Sequence, residues 1–192
     1  MYAGDELFED FPVIATPVAT QYTVTIDDEF VIPRQFNTII SVLQEATEDD
    51  SLIIKLSTNG GSLTAILPLV HALKARRCYV HVVAGDVASA GTLIMMLADS
   101  VEVIDGATIL FHELQYGLDT AGNQRNNSRA SYHNKSSRKL LTEMYEGFLT
   151  DEELSDLFKG MEVLMDAETF MKRYYAADEL DETPPDDEET IH

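Results

Sequence analysis

Ser89 stands among small residues at a strand-to-helix junction, where a serine could act as a nucleophile. An apolar, strand-like run over 79–84 precedes the small-residue segment 85–91, and an apolar, helix-like run over 92–98 follows it. A serine there can be exposed on a rigid backbone, and the N–H groups that begin the next helix point towards whatever approaches. The pattern favours nucleophilic chemistry, and the alternative is that Ser89 is only a helix N-cap.

Two other predicted strand ends carry residues that could complete a hydrolytic site. The segment Asn59–Ser62 follows an apolar strand at 52–56, and His112 follows a second strand at 108–111. In a right-handed βαβ sheet, the carboxyl ends of successive strands lie at one edge. The diglycine of the first segment lets backbone N–H groups approach a substrate carbonyl closely. We therefore expect a serine, a general base and oxyanion donors to converge there.

Strands and helices alternate along most of the chain, which predicts an α/β fold built from βαβ units. Further strands are predicted at 22–26 and 101–104. Apolar residues at helical spacing predict helices at 33–43, 63–75, about 128–148 and 151–159, and a last helix that Asp166 caps and that runs to 175.

Length and composition predict one folded domain with two flanking segments. The chain has 192 residues, of which 45% are hydrophobic, and we assign the domain to 21–177. Two prolines in the mixed segment 1–20 indicate an extended arm. Eight Asp and Glu residues between Asp178 and Glu189 indicate that 178–192 is a disordered, solvated tail.

The formal net charge of −21 argues against partners that need a basic surface. Nucleic acids and anionic membranes both fall in that class, so neither is expected as a partner. The lone cysteine, Cys78, allows no disulfide within the chain and is expected in the core. We see no signal-peptide pattern and no apolar run of about 18 residues, so a cytoplasmic location is expected. The sequence implies no metal and no organic cofactor.

Three motifs in this order and spacing resemble the proteolytic subunit of the Clp protease. They are Thr58–Ser62 before an amphipathic helix, the Gly-x-x-Ala-Ser-x-Gly pattern at 85–91, and Ile109–His112, and the similarity spans about 22–178. The resemblance implies a crotonase-like α/β fold with a protruding handle helix, a Ser-His-Asp triad, and homo-oligomeric rings around a closed chamber. The flanks are more similar to phage-encoded Clp-like or head-maturation relatives than to the bacterial housekeeping subunit.

The resemblance also implies a role for each residue that matches the family's motifs. Ser89 corresponds to the nucleophile and His112 to the general base. Gly61 and Ala90 correspond to the positions whose backbone N–H groups form the oxyanion hole. The activity implied is that of an ATP-dependent, Clp-like serine endopeptidase.

The acid of the triad is the least defined member of this set. Met165–Glu168 resembles the family's Met-Ser-Ala-Glu block, and an ungapped match places Phe158 where the acid is expected. The nearby carboxylates are Asp156 and Glu162, and we favour Glu162 because Clp-like relatives often carry an acid just before this block. If no acid orients His112, its tautomer is not fixed and the rate should fall by several orders of magnitude.

The function predicted from the sequence is therefore a serine endopeptidase that cleaves peptides or proteins inside a ring of identical subunits. An unfoldase ATPase and phage capsid proteins are further candidate partners. One alternative is a catalytically inactive Clp-like ring subunit or scaffold. Another is a crotonase-type enzyme that acts on acyl-coenzyme A.

Overall fold

The computed structural model describes residues 19–113 and 124–181, which form one sheet with helices packed against it. The strands are β1 (Gln21–Ile26), β2 (Ser51–Thr58), β3 (Tyr79–Ala88), β4 (Ser100–Val103), β5 (Thr108–Phe111) and β6 (Val163–Asp166). The α-helices are α1 (Asn37–Glu45), α2 (Leu63–Ala75), α3 (Thr92–Met95), α4 (Gln124–Tyr145), α5 (Asp151–Leu157) and α6 (Ala167–Asp181). Short 3₁₀ turns at Pro33–Phe36 and Ser89–Gly91 precede α1 and α3.

The strand order brings the carboxyl ends of β2, β3 and β5 to one edge of the sheet. The order is β1-β2-β3-β5-β6, and all the pairings are parallel except that of β6 with β5. Along its other edge, β3 pairs first with β4 over 81–84 and then with β5, where Ala88 faces Leu110. Ser89 therefore leaves β3 beside the strand that ends just before His112, as the βαβ pattern predicts.

The core lies between the sheet and the helices that cross it. In β2 the alternating residues Leu52, Ile54 and Leu56 are buried, with at most 2% of each exposed. α2 buries Leu63, Ile66, Val70 and Leu73 of the apolar stripe predicted from its spacing, whereas Leu67, predicted for the same face, is exposed. Cys78 is also buried, and this burial raises the pKa of its thiol, as expected for a core cysteine rather than a reactive one.

Two elements around Ser89 differ from the sequence-based prediction. β3 continues to Ala88, although 85–88 was predicted as a turn, because Val87 pairs with Thr58 on one side and Ile109 on the other. These tertiary pairings outweigh the low intrinsic strand propensity of a segment that contains glycine. The helix that follows is also shorter than predicted. α3 has four residues, because the Asp99 N–H bonds to the Val80 carbonyl (2.9 Å) and returns the chain to the sheet.

Strand β6 was not predicted, whereas the cap of the next helix was. β6 has only four residues and takes its place through antiparallel pairing with β5. The Asp166 carboxylate accepts a hydrogen bond from the Thr169 N–H (2.8 Å), as expected of an N-cap. α6 continues to Asp181, four residues beyond the boundary predicted for the domain. The segments 1–18 and 182–192, which hold most of the predicted arm and tail, lie outside the described residues.

An ion pair between α5 and α6 predicts how stability responds to acid. Arg173 bonds to both carboxylate oxygens of Glu153 (2.7 and 2.9 Å), which lowers the pKa of that carboxyl below its ordinary 4.5. A lowered carboxyl pKa adds stability above the ordinary value, and this stability is lost as pH falls through the folded-state pKa. Glu153→Gln should lower the free energy of unfolding by about 0.5–1 kcal/mol near neutral pH. It should also make the further loss of stability below about pH 4.5 smaller than in the wild type. Urea unfolding across pH checks this, with the exposed Glu152→Gln as control, and equal acid sensitivity of the two variants would contradict it.

Candidate active site

Ser89, His112 and Gly61 line one cavity of about 880 Å³ at the edge of the sheet. They come from the turns that follow β3, β5 and β2, which is the convergence predicted from the three strand ends. The cavity is rich in carboxylates. Those that line it belong to Asp27, Asp28, Glu29 and Asp86.

Ser89 has a strained backbone that matches the predicted strand-to-helix turn. Its φ is 58°, and among the described residues no other non-glycine residue has a positive φ. A left-handed conformation costs a non-glycine residue about 1–3 kcal/mol and is common where a nucleophile must project from a sharp turn. Ser89 is 7% exposed, so the surrounding structure holds this conformation while leaving the residue at the cavity wall.

A buried hydroxyl relay supports the Ser89 turn. The Thr92 hydroxyl donates to the Ser89 carbonyl (2.7 Å) and lies 2.7 Å from the Tyr145 hydroxyl. Because the single hydroxyl hydrogen of Thr92 is used by Ser89, Tyr145 must be the donor to Thr92. Both residues are fully buried, and burial raises the pKa of Tyr145, which keeps its phenol protonated as a donor. Helix α4 thus contacts the turn that carries Ser89.

This relay gives a graded stability prediction. Thr92→Val removes the hydroxyl bond to the Ser89 carbonyl, which still accepts from the Thr92 N–H, and leaves the buried Tyr145 hydroxyl without an acceptor. We therefore expect a loss of about 2–3 kcal/mol. Tyr145→Phe keeps the bond between Thr92 and Ser89 and should cost about 1 kcal/mol. Urea unfolding measures both, with Thr92→Ser as the variant that retains the hydroxyl. A smaller loss for Thr92→Val than for Tyr145→Phe would refute this order.

The diglycine loop presents one of the expected oxyanion donors. Gly60 and Gly61 have φ values of 84° and 136°, which side-chain-bearing residues rarely adopt. The Phe30 N–H donates to the Gly60 carbonyl (2.8 Å), and the Ser62 N–H donates to the Phe30 carbonyl (2.7 Å). These bonds fix the loop without using the Gly61 N–H, which is the donor that the family resemblance assigns to the oxyanion hole.

Gly60 allows this loop to touch the Ser89 turn, a role that was not predicted for it. A Cβ at Gly60 would lie 2.6 Å from the Ala88 carbonyl oxygen, 2.7 Å from Ser89 Cβ and 2.8 Å from the Ala90 nitrogen. The two backbones are therefore in direct contact. The contact includes the Ala90 nitrogen, and Gly61 is the next residue after Gly60, so the two residues predicted to supply oxyanion donors belong to the two segments in contact. The diglycine itself was the signal in the sequence, because close backbone approach is a principal use of glycine.

The His112 imidazole has a defined hydrogen-bond partner on one nitrogen. Its Nδ1 lies 2.8 Å from the backbone carbonyl oxygen of Glu113. Since a carbonyl only accepts, Nδ1 carries the hydrogen, and the lone pair is on Nε2. That tautomer is the one that a general base needs. Within the described residues no hydrogen bond joins His112 to Ser89, and such bonds are often long before substrate binds.

The structure does not bring a predicted acid into contact with His112. Glu162 is exposed, does not line the cavity, and precedes β6. Because Phe111 pairs with Val163, one further antiparallel step would place Glu162 opposite His112. Asp156 instead forms an ion pair with the exposed Lys159 (2.8 Å). The assignment of Glu162 therefore remains a prediction.

The position that an ungapped match gives to the acid is filled by an aromatic side chain. Phe158 lies under the Arg138 guanidinium, whose central carbon is 5.3 Å from the ring centroid. Two further histidines of the described residues do not line the cavity. His71 is exposed on α2, and His81 on β3 bonds to Ser100 (2.6 Å).

The mixed sheet, parallel except for β6, and the helices packed against it form an α/β fold of the crotonase-like type. The sequence profile of the Clp protease family matches residues 21–178, and the chain belongs to this family. A solved structure of a ClpP1 point mutant from Listeria monocytogenes is similar, with a TM-score of 0.60 and 18% identity. The alignment covers 79% of this chain and 86% of that one. Comparison with curated protein sequences finds no match.

These comparisons confirm the predicted family and fold and correct one expectation. Members of the Clp protease family form homo-oligomeric rings. The expected ATP dependence was wrong, because ClpP itself is ATP-independent and the family match supports a Clp-like peptidase only. Across residues 19–113 and 124–181, we find no helix with the length and apolar character needed to span a membrane.

Proposed function

We propose that this chain is a serine endopeptidase that works inside a ring of identical subunits. Ser89 Oγ attacks the peptide carbonyl, and His112 Nε2 takes its proton and later gives it to the leaving amine. The N–H groups of Gly61 and Ala90 stabilise the oxyanion. The observation that carries the proposal is the left-handed Ser89, packed against the diglycine loop in the cavity that His112 also lines.

The finer parts of the proposal rest on the family resemblance. Glu162 is the candidate triad acid, because one further residue of the β5–β6 register would place it opposite His112. The ring is proposed because family members form homo-oligomeric rings. A cytoplasmic location and docking to an unfoldase ATPase or to phage capsid proteins are proposed as well. The family match favours a peptidase over an acyl-coenzyme A enzyme.

The second candidate function is a catalytically silent ring subunit. One observation favours it, because no carboxylate of the described residues hydrogen-bonds to His112. In that case the cavity would have no catalytic activity, and the chain would function only as a structural subunit of the ring.

Labelling with a fluorophosphonate probe, read by intact mass, separates the two candidates. We expect one adduct per wild-type chain, together with a sedimentation coefficient larger than that of a monomer. An active Clp-type peptidase treated in parallel shows that the probe is competent. A ring that forms without any adduct would instead support the silent subunit.

A further inference from the structure

Arg138 on α4 joins the two chain segments that flank the candidate base. Its Nε donates to the Glu113 carboxylate (2.7 Å), and its Nη2 donates to the Phe158 carbonyl (2.8 Å). The guanidinium also lies over the Phe158 ring. The Glu113 side chain is only 15% exposed, while that of Arg138 is 49% exposed. Arg138 thus ties the end of β5 to the segment between α5 and β6.

The held residue, Glu113, is also the one whose carbonyl receives the His112 Nδ1–H. A side chain anchored at its carboxylate restricts the backbone rotation of its own residue. The direction of the Glu113 carbonyl is therefore coupled to the ion pair with Arg138. An ion pair with one exposed partner, as here, contributes modestly to stability, and its relevance to the site is the orientation of Glu113.

We infer that Arg138 is a positioning residue for the candidate base. By fixing Glu113, it keeps a backbone carbonyl on His112 Nδ1 and so keeps the lone pair on Nε2. In this arrangement a carbonyl does the orienting that a carboxylate does in a Ser-His-Asp triad. The catalytic consequence rests on the proposed peptidase function, whereas the effect on the tautomer does not.

The inference competes directly with the assignment of Glu162. Both the Glu113 carbonyl and a triad carboxylate would use the same imidazole nitrogen. If the carbonyl orients His112, Arg138→Gln alters the tautomer and lowers the labelling rate. If Glu162 is the partner of Nδ1 in the working enzyme, Arg138→Gln leaves both unchanged, and our inference is overturned.

The tautomer can be measured without any activity. Solid-state ¹⁵N spectra of selectively histidine-labelled protein distinguish a protonated Nδ1 from a protonated Nε2. The spectra are recorded at about pH 8, where an ordinary imidazole is neutral. His112→Asn assigns the His112 signal, and His81, bonded to Ser100, is the internal reference. We expect His112 as the Nδ1–H tautomer in the wild type and a mixture in Arg138→Gln. Lys139→Gln, which removes the neighbouring exposed cation of α4, should match the wild type.

The rate of fluorophosphonate labelling tests the consequence for chemistry. We expect Arg138→Gln to label about 10- to 100-fold more slowly, by analogy with the loss of other orienting partners. Arg138→Lys, which keeps the charge, should recover part of the rate. Glu113→Gln breaks the pair from the other side, so it should slow labelling without altering α4. The double variant should be no slower than either single variant if the two residues act as a unit.

The outcomes separate this inference from the proposed function. Absence of labelling in the wild type refutes the peptidase, and the ¹⁵N spectra still decide whether Arg138 sets the tautomer. Labelling of Arg138→Gln at the wild-type rate, with His112 still in the Nδ1–H tautomer, overturns the inference and leaves the peptidase standing.

Discussion

Ser89→Ala should abolish fluorophosphonate labelling and reduce peptide hydrolysis by about 10⁶-fold, the loss seen when a hydrolase nucleophile is removed. The reason is chemical, because the variant loses the hydroxyl that is proposed to attack the peptide carbonyl. Alanine and serine differ by one oxygen, so the left-handed backbone at this position is strained to a similar degree in both. The variant should therefore fold and assemble like the wild type. Intact mass after labelling, and hydrolysis of a quenched fluorescent peptide, measure the two effects.

Ser57 offers a matched control for this experiment. It lines the same cavity and is exposed, but it lies on β2 and not in a strained turn. Ser57→Ala should keep the adduct and the hydrolysis rate within a few fold of the wild type. His112→Ala should lose the adduct, because an unactivated serine reacts poorly with the probe. Persistence of the adduct in Ser89→Ala, or its loss in Ser57→Ala, would place the reactive serine elsewhere.

Gly60→Ala should be strongly destabilising, with a loss of about 2–5 kcal/mol in the free energy of unfolding. Two costs add. A left-handed φ costs an L-residue about 1–2 kcal/mol, and overpacking adds about 1–3 kcal/mol. The atoms that the new methyl group would meet include the Ala88 carbonyl oxygen and the Ala90 nitrogen, which are backbone and cannot rotate away. The Ser89 turn must shift, so labelling should also fall sharply.

Gly147 separates these two costs. Its φ is 84°, the same as that of Gly60, but nothing lies within 4 Å of the place where its Cβ would be. Gly147→Ala should therefore show the backbone cost alone, about 1–2 kcal/mol, and normal labelling. Urea unfolding of the two variants measures the difference as the contribution of the close approach. Equal losses of stability would show that the diglycine loop moves away from the Ser89 turn without cost.

The sequence predicted the part of the site that depends on strand ends. Apolar strands followed by Asn59–Ser62, by Ser89 and by His112 were enough, because parallel topology carries such residues to one edge. Each motif is a short run of neighbouring residues, so it could be recognised in the sequence without knowing how the helices and strands pack. Local patterns also predicted the N-cap Asp166 and, except for the exposed Leu67, the apolar face of α2, and the structure confirms these.

The acid could not be predicted because its position depends on elements that lack a local signal. β6 has four residues and forms only through its pairing with β5. The register of that pairing decides where Glu162 lies, and neither strand encodes the register by itself. The supports of the site were missed for the same reason. Tyr145 and Thr92 are 53 positions apart, and Arg138 and Glu113 are 25 apart. Only tertiary structure brings these pairs together.

One helix, α4, supports both the candidate nucleophile and the candidate base. Tyr145 of α4 reaches the carbonyl of Ser89 through Thr92, and Arg138 of α4 reaches the partner of His112 through Glu113. A displacement of α4 would remove one support of the Ser89 turn and one support of His112 in a single event. Changes at α4 would therefore affect the nucleophile and the base together. A small molecule that wedges α4 away from the sheet would act as an inhibitor without entering the cavity.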